Sequence, residues 1–243
     1  MKRLWFIVPV HQRLKLTAIC LRLLLETCKR MREYELEATA VVIGDDESVD
    51  LARELGFATV RRDNDFVGRK FNDGYQLACD PDFNPSPADF VVPCGSDDWL
   101  DPVIFNTLPE GGRIGIFRQL AHVDEKRERL AQVTIPYLAG CGIRIIPCEK
   151  IAAAGFRPCA EDRQISLDSS TMSGLKKANG AFPDLEELDV HPLQIVDWKS
   201  DDIQLHPYKE VAPWRKRVDE ADPFDTLAGH YPDWALEEME RLG

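Results

Sequence analysis

The sequence has no apolar stretch near its start that is long enough to cross a bilayer. Leu4 to Val10 is apolar but contains only seven residues, whereas a spanning helix needs about 20. Lys2 and Arg3 precede this run, but no small-residue cleavage site follows it. The sequence therefore predicts neither export nor a membrane anchor.

The cysteines lack the CxxC spacing that is typical of zinc sites and redox motifs. Seven cysteines are scattered along the 243 residues, and this odd number favours no disulfide framework. We therefore expect reduced thiols and a cytoplasmic location.

An excess of positive charge is also absent. The 42 acidic residues outnumber the 30 basic ones, and the net charge is −12. This balance argues against a broad surface for nucleic acid or anionic membranes, so a nucleic-acid substrate would need a local basic groove. The chain does have 44% hydrophobic residues, enough for a sizeable core.

Apolar runs and helical periods alternate through the first hundred residues. Leu4 to Val10 and Glu37 to Ile43 are typical of buried strands, and Leu14 to Arg32 has the period of a helix. Shorter segments continue the pattern, with strands at Ala58 to Arg61 and Asp89 to Val92 and helices at Val49 to Leu55 and Arg69 to Ala78. The alternation predicts an α/β fold with a mostly parallel central sheet.

The second half of the chain is less regular. A charged run from Asp124 to Arg129 is expected to be a solvated loop or helix end. We predict a C-terminal extension from Val211 that is rich in Pro, Trp and charge and ends in a helix at Asp233 to Leu242. Other expected elements are strands at Arg113 to Phe117, Gln132 to Ile135, Gly140 to Ile146 and Leu193 to Val196, and helices at Glu149 to Ala154 and Ser169 to Ala178.

The stretch Ala88 to Pro102, ADFVVPCGSDDWLDP, has the strongest chemical signal. Its strand ends at Pro93, and Asp97 and Asp98 follow on a turn. Open α/β sheets bind ligands at this carboxyl edge, and paired carboxylates suit Mg²⁺ or Mn²⁺. The alternative for this pair is a solvated turn.

A second pair of carboxylates, Asp45 and Asp46, follows the second strand in the segment IGDDES. These side chains could accept hydrogen bonds from the base or ribose of a nucleotide, but capping of the next helix by Asp46 or Ser48 is an alternative. Arg69 and Lys70 begin a helix near the same edge. They could meet a diphosphate together with the positive end of the helix dipole, or be a solvated helix start.

Four of these segments, in this order, resemble the nucleotide-sugar-dependent glycosyltransferases of the GT-A fold, in particular the large inverting family. They are IVPV at Ile7 to Val10, IGDDES at Ile43 to Ser48, GRKFNDGYQLA at Gly68 to Ala78 and GSDDW at Gly95 to Trp99. The resemblance covers roughly the first 105 residues. It implies one domain with a donor-binding half at 1–105, an acceptor-binding and catalytic half at 106–210, and the extension at 211–243.

The resemblance implies metal-dependent transfer of a sugar from a nucleotide-diphosphate donor to an acceptor hydroxyl, with inversion. The metal, Mn²⁺ or Mg²⁺, would act as a Lewis acid on the departing diphosphate. Its ligands would be Asp97, Asp98 and Asp197, the last of which follows its own apolar run with Lys199 and His206 nearby as phosphate or metal partners. Donor contacts would come from Pro9, Val10, His11, Asp45, Asp46, Arg69, Lys70, Asn72, Ser96 and Asp97.

One position departs from the family pattern. Gly95 stands where the acidic motif of the family usually begins with Asp, a residue that tends to contact the ribose. That contact is therefore lost or supplied elsewhere, for example by Ser96.

An inverting transfer also needs a carboxylate that takes the proton of the acceptor hydroxyl. Asp168 opens an expected helix twelve residues before Gly180, the position of the base in the family, whereas Glu161-Asp162 matches the acidic dipeptide of the family. We favour Asp168 and keep Asp162 as the alternative. A helix cap is the non-catalytic interpretation of Asp168.

Two other functions fit parts of the pattern. A nucleotidyltransferase also binds Mg²⁺ through carboxylates on an α/β sheet, but usually has a Gly-rich basic loop where this chain has VPVHQRLK. A non-catalytic sugar-binding module on the same fold is favoured by Gly95. The sequence leaves open the sugar, the base and the acceptor, which could be a protein side chain, a glycan, a lipid head group or a modified nucleobase.

Overall fold

The computed structural model describes residues 1–10, 13–124, 129–135, 143–163, 167–199, 216–220 and 222–242, and at 167, 168, 199 and 216–220 only the backbone. The strands are β1 (Lys2–Pro9), β2 (Leu36–Gly44), β3 (Ala58–Arg61), β4 (Phe90–Pro93), β5 (Asp98–Leu100), β6 (Ile114–Ile116), β7 (Gln119–Asp124), β8 (Arg129–Thr134), β9 (Arg144–Pro147), β10 (Leu185–Glu187), β11 (Ile195–Lys199) and β12 (Lys216–Glu220). The helices are α1 (Leu14–Arg30), α2 (Asp46–Glu54), α3 (Val67–Cys79), α4 (Cys148–Ala153), α5 (Leu167–Asn179), α6 (Pro223–Leu227) and α7 (Asp233–Glu240). Within these ranges no helix combines the length and the apolar character that crossing a bilayer requires.

The main sheet has seven strands in the order β10-β6-β9-β4-β1-β2-β3. Strands β3, β2, β1 and β4 run parallel, and β9 is antiparallel to both β4 and β6. This arrangement confirms the predicted α/β fold with a mostly parallel sheet. The chain winds to one side of β1 through β2 and β3 and then crosses to β4, so the carboxyl ends of β1 and β4 meet at a topological switch point.

A second sheet, in the order β12-β8-β7-β11-β5, was not predicted. Its strand β5 takes up Asp98–Leu100, whereas we expected Asp98 to lie on a turn. Strand β11 runs parallel to β7 and antiparallel to β5. The strand that we expected from Leu193 begins two residues later, after a short helical turn at Pro192–Gln194.

Helix α1 lies in the core between the two sheets. Leu21 and Leu24 pack with the face of β1 that includes Phe6, whereas Ile19 and Leu23 belong to a cluster with the second sheet and the C-terminal helices. Helix α1 is therefore buried on two faces, one against the main sheet and one against the second sheet. Helix α3 covers the other face of the main sheet.

The C-terminal helices pack against this core. Arg22 of α1 forms an ion pair with Glu238 of α7 at 2.7 Å, and its guanidinium lies 4.1 Å from the ring centre of Trp234. The hydroxyl of Tyr231 donates a hydrogen bond to the carbonyl of Trp99 at 3.4 Å. The end of the chain is thus in contact with the strand that follows the acidic turn.

The expectation that the cysteines are reduced is wrong for one pair. Cys79 at the end of α3 and Cys148 at the start of α4 form a disulfide, with Cα atoms 5.5 Å apart. These residues are 69 positions apart in sequence, and the antiparallel pairing of β4 with β9 brings them together. Disulfides are typical of oxidising compartments, so the argument from reduced thiols to a cytoplasmic location no longer holds.

We expect reduction of this disulfide to lower the free energy of unfolding by about 2–4 kcal/mol, because the cross-link restricts a long loop of the unfolded chain. Urea unfolding with and without dithiothreitol measures the difference. The Cys79→Ala, Cys148→Ala double variant should lose the same stability and no longer respond to the reductant. Cys159→Ala, which removes a thiol outside this disulfide, should respond as the wild type does. Equal stability of oxidised and reduced protein would contradict the assignment.

Candidate functional site

Three carboxylates meet at the switch point of the main sheet. Strand β4 ends at Pro93, and a turn through Asp97 leads into β5. Asp98 of β5 lies directly opposite Asp197 of β11 in the antiparallel pair. One oxygen each of Asp97, Asp98 and Asp197 lies within 4.8 Å of the other two. The turn and the strand pairing therefore bring all three predicted metal ligands together.

Positive charge stabilises this arrangement of carboxylates. Like charges directly opposite each other on neighbouring strands are destabilising, and Asp97 adds a third negative charge beside Asp98 and Asp197. Carboxylate oxygens are the ligands that Mg²⁺ and Mn²⁺ prefer. The chemistry of these side chains therefore fits a hard divalent cation.

Two basic side chains that sequence reasoning missed also contact the acidic cluster. Arg13 Nη2 lies 3.1 Å from Asp97 Oδ2. His122 Nε2 lies 3.6 Å from Asp197 Oδ2, on the strand beside β11, and this imidazole is almost fully buried. Arg13 could have been suspected, because it lies in the loop after the first strand, at the switch point. His122 had no signal, because β7 itself was not predicted.

A second polar network lies where β1 and β2 end. Asp45 caps α2 by accepting the N–H of Ser48 at 3.1 Å, and its other oxygen accepts from Asn64 Nδ2 at 2.8 Å. Lys70 is fully buried and donates to Asn64 Oδ1 at 2.6 Å and to the carbonyl of Val10. Three residues expected to contact the nucleotide thus share one hydrogen-bond network through Asn64, which sequence reasoning missed.

The pKa values of both Asp45 and Lys70 lie below their ordinary values, for different reasons. Hydrogen bonds from Ser48 hold the pKa of Asp45 below its usual 3.8, with help from Asn64 and Lys70. Burial lowers the pKa of Lys70, and the nearby charges of Asp45 and Asp65 partly offset this effect. Asp45 therefore stays ionised at neutral pH and is firmly fixed at the sheet edge.

Three of the other predicted nucleotide contacts, Asp46, Arg69 and Asn72, already have partners in the structure. Arg69 pairs with Asp65 at 2.7 Å, and Asp46 pairs with Arg61 at 2.6 Å on the surface. The residue that caps α2 is Asp45, and not Asp46 or Ser48, which were the candidates from the sequence. Asn72 is buried, and its amide bonds both the N–H and the carbonyl of Cys159 at 2.9 Å. Ser96 is buried in the turn before Asp97, Pro9 ends β1, and His11 lies outside the described residues.

Solved structures with a similar fold include glycosyltransferase complexes. A mutant of Drosophila beta-1,4-galactosyltransferase 7 with manganese, UDP-Gal and xylobiose aligns with a TM-score of 0.51 at 12% identity, over 79% of this chain and 67% of its own. Glucosyl-3-phosphoglycerate synthase from Mycobacterium tuberculosis with Mn²⁺, UDP and phosphoglyceric acid aligns with a TM-score of 0.51 at 10% identity, over 79% and 72% of the two chains. This chain has the GT-A fold. At such identities the likeness shows the fold alone.

Other comparisons add no argument beyond the GT-A fold. The inositol-1-phosphate CTP transferase from T. maritima aligns over 100% of this chain and 96% of its own at 12% identity, but with a TM-score of only 0.42. The sequence matches no protein-family model, and no curated protein matches it. The activity on this GT-A fold must therefore be argued from its site.

The two predicted candidates for the base lie before and after residues 164–166, which are outside the described residues. Asp162 is exposed in a turn, next to Glu161, which pairs with Arg157 at 2.8 Å. Helix α5 begins at Leu167, so Asp168 lies in its first turn rather than at the expected cap position. Lys199 ends β11, and His206 lies outside the described residues.

Gly95 explains how this GT-A fold accommodates its carboxylates. A Cβ at this position would lie 2.5 Å from Asp97 Oδ1 and 2.9 Å from Asp98 Oδ2, and the N–H of Gly95 bonds the same Asp98 oxygen. The Asp that the family usually has here would collide with both carboxylates and add charge. Glycine is therefore part of the arrangement that holds the acidic cluster together.

We expect Gly95→Ala to weaken Mn²⁺ binding about 10- to 100-fold, the usual effect of disturbing groups around metal ligands. The free energy of unfolding should change by less than about 1 kcal/mol, because the displaced atoms are side-chain ends rather than backbone. Calorimetric titration with Mn²⁺ and urea unfolding measure the two quantities. An unchanged Mn²⁺ affinity would show that the carboxylates have room for the added methyl group.

We expect Asp45→Ala to cost about 1 kcal/mol of stability, the typical value of a helix cap, whereas Asp45→Asn should keep the cap. The lowered pKa of Asp45 stabilises the fold above its unfolded value near 3.8, and this contribution is lost as the pH falls through the folded pKa. Urea unfolding between pH 2 and pH 7 should therefore show a shallower acid loss for Asp45→Asn than for the wild type.

The same variants test the role of Asp45 in nucleotide binding. Asp45→Ala should weaken binding of the nucleotide and leave Mn²⁺ affinity unchanged, because Asp45 is not among the three clustered carboxylates. Equal loss of both affinities would instead indicate damage to the sheet edge.

Proposed function

We propose that this protein is a metal-dependent glycosyltransferase that moves a sugar from a nucleotide-diphosphate donor to an acceptor hydroxyl, with inversion. The observation that carries this proposal is the meeting of Asp97, Asp98 and Asp197 at the switch point of a GT-A fold. Similar structures of this fold were solved with manganese and UDP-Gal or with Mn²⁺ and UDP. A clustered carboxylate site at this edge has the chemistry to hold the same class of ligand.

In this proposal the donor binds to residues 1–105, between the ends of β1, β2 and β4. Asp97, Asp98 and Asp197 would hold Mg²⁺ or Mn²⁺, which supplies Lewis-acid stabilisation to the departing diphosphate. Asp45 accepts hydrogen bonds from the base or ribose beside its bond to Asn64. Because Asp45 is already fixed by Ser48, it loses little freedom when the nucleotide binds.

The acceptor binds to residues 106–210 in this proposal. Asp168 takes the proton of the acceptor hydroxyl as that oxygen attacks the anomeric carbon from the face opposite the diphosphate. Its place in the first turn of α5 supports this role, because helix geometry fixes the backbone from which the carboxylate projects. Asp162 remains the alternative base. The acceptor could be a protein, a glycan, a lipid head group or a modified nucleobase.

A non-catalytic sugar-binding module is the second candidate, and Gly95 favours it. The Asp that Gly95 replaces would otherwise supply the ribose contact implied by the family resemblance. In the arrangement seen here that Asp would not fit beside Asp97 and Asp98. Such a module would bind nucleotide sugars without cleaving them.

Release of nucleoside diphosphate distinguishes these functions. The protein is incubated with UDP-glucose, UDP-galactose, UDP-N-acetylglucosamine or GDP-mannose, with Mn²⁺, with Mg²⁺ or with EDTA, and UDP or GDP is measured. We expect slow donor hydrolysis with one of these sugars that stops in EDTA. Binding without release would favour the sugar-binding module. Release of pyrophosphate from a nucleoside triphosphate and a sugar phosphate would instead identify a nucleotidyltransferase.

A further inference from the structure

Arg13 is the basic residue closest in sequence to the end of β1 among those described, and it lies against the acidic cluster. Its backbone is left-handed, with φ 55° and ψ 46°, a conformation that is uncommon for a residue other than glycine. This turn directs the guanidinium back toward the switch point, where Nη2 lies 3.1 Å from Asp97 Oδ2. The side chain is only 14% exposed.

The rest of the guanidinium has no hydrogen-bond partner among the described residues. Arg13 Nε and Nη1 are buried, and neither makes a hydrogen bond there. Buried polar groups are nearly always hydrogen-bonded, and a charged donor without a partner is costly. These donors, in a rigid fork beside a cation site, have the geometry that suits phosphate oxygens.

The contact between Arg13 and Asp97 competes with a cation at the same carboxylate. An arginine and a divalent cation on one carboxylate repel each other, so binding of the cation weakens the ion pair. The displaced guanidinium remains near the cation and needs a negative partner there. The diphosphate of a nucleotide sugar is such a partner.

We propose that Arg13 binds the diphosphate of the donor, and that it holds Asp97 only until the cation binds. This inference rests on the proposed function and adds a residue and an order of events to it. The other basic side chains described nearby are already engaged, because Lys70 bonds Val10 and Asn64 and Arg69 pairs with Asp65. Arg13 has one ion pair and further donors to offer.

The test measures Mn²⁺ binding and pyrophosphate binding by calorimetry on the whole chain, for the wild type and for Arg13→Gln. Without the competing guanidinium, Arg13→Gln should bind Mn²⁺ about tenfold more tightly in the absence of phosphate. With Mn²⁺ saturating, the variant should bind pyrophosphate about tenfold more weakly, because a charge-assisted hydrogen bond is lost. General damage to the site would not change the two affinities in opposite directions.

Arg53→Gln is the matched control, because Arg53 lies on α2 and forms its ion pair with Asp50 on the surface. Both affinities of that variant should equal those of the wild type. Arg13→Lys keeps the positive charge but lacks the planar set of guanidinium donors. Its Mn²⁺ affinity should therefore stay near that of the wild type, and its pyrophosphate affinity should lie between those of the wild type and Arg13→Gln.

Mn²⁺ binding that is not tighter in Arg13→Gln, or pyrophosphate binding that is not weaker, overturns the inference and leaves the proposed function standing. A wild-type protein that binds no Mn²⁺, alone or with pyrophosphate, overturns the proposed function and the inference together.

Discussion

Asp97→Asn should abolish metal-dependent binding of the donor and lower turnover about 10³-fold or more, because a metal contributes several kcal/mol of transition-state stabilisation. The amide is nearly the same size as the carboxylate but carries no charge. It therefore weakens the attraction for a divalent cation within the cluster of Asp97, Asp98 and Asp197. Calorimetry with and without Mn²⁺ measures donor binding, and release of nucleoside diphosphate measures turnover.

Asp101→Asn is the control for this variant. Asp101 lies on the same segment and caps the short helical turn at Pro102–Phe105 by accepting the N–H of Val103 at 3.0 Å. Asparagine is also a good cap, so stability and donor binding should both be retained. If Asp97→Asn binds donor as tightly as the wild type in the presence of Mn²⁺, the metal assignment is wrong.

Asp168→Asn should lower turnover about 10²- to 10⁴-fold, the usual contribution of a positioned general base, because the amide cannot take the proton. Donor affinity should change little, since the base acts on the acceptor in the transition state. Stability should fall by no more than about 1 kcal/mol, the value of a negative charge in the first turn of a helix. Turnover under saturating donor and urea unfolding provide the measurements.

Asp162→Asn is the matched variant for the base. It lies in an exposed turn, so its substitution should affect neither stability nor transfer if Asp168 is the base. If Asp162→Asn loses transfer and Asp168→Asn retains it, the base is Asp162 of the acidic dipeptide and not Asp168. Activity in both variants would place the base elsewhere in the chain.

The strands of the parallel half of the sheet could be predicted because each is a short apolar run closed by Gly, Pro or a charged turn. Strand β1 and strand β2 are examples, and the alternation with helices implied their parallel order. Strand β5 could not be predicted, since Asp98 and its neighbours have the composition of a turn. Its pairing with β11 depends on a partner far away in the sequence, which local patterns do not encode.

The same limit applies to the site. Asp97 and Asp98 were predicted because they follow a strand, but their proximity to Asp197 depends on the pairing of β5 with β11. Arg13 was missed because a lone basic residue in a loop is a weak signal, and His122 was missed because β7 was not predicted. Their contacts with the carboxylates exist only after two sheets and α1 have come together.

The aromatic residues behind the carboxylates link the cation site to the end of the chain. Trp99 and Trp198 each follow one of the paired carboxylates, their ring centres lie 4.8 Å apart, and the ring of Tyr231 lies 5.2 Å from Trp99. Neighbouring residues on a strand face opposite sides, so the paired carboxylates and the two tryptophan rings lie on opposite faces of β5 and β11. We therefore expect local opening of the C-terminal segment and occupancy of the cation site to be thermodynamically linked. A bound cation should slow amide hydrogen exchange in residues 222–242, and a change that loosens those residues should lower cation affinity without removing a ligand.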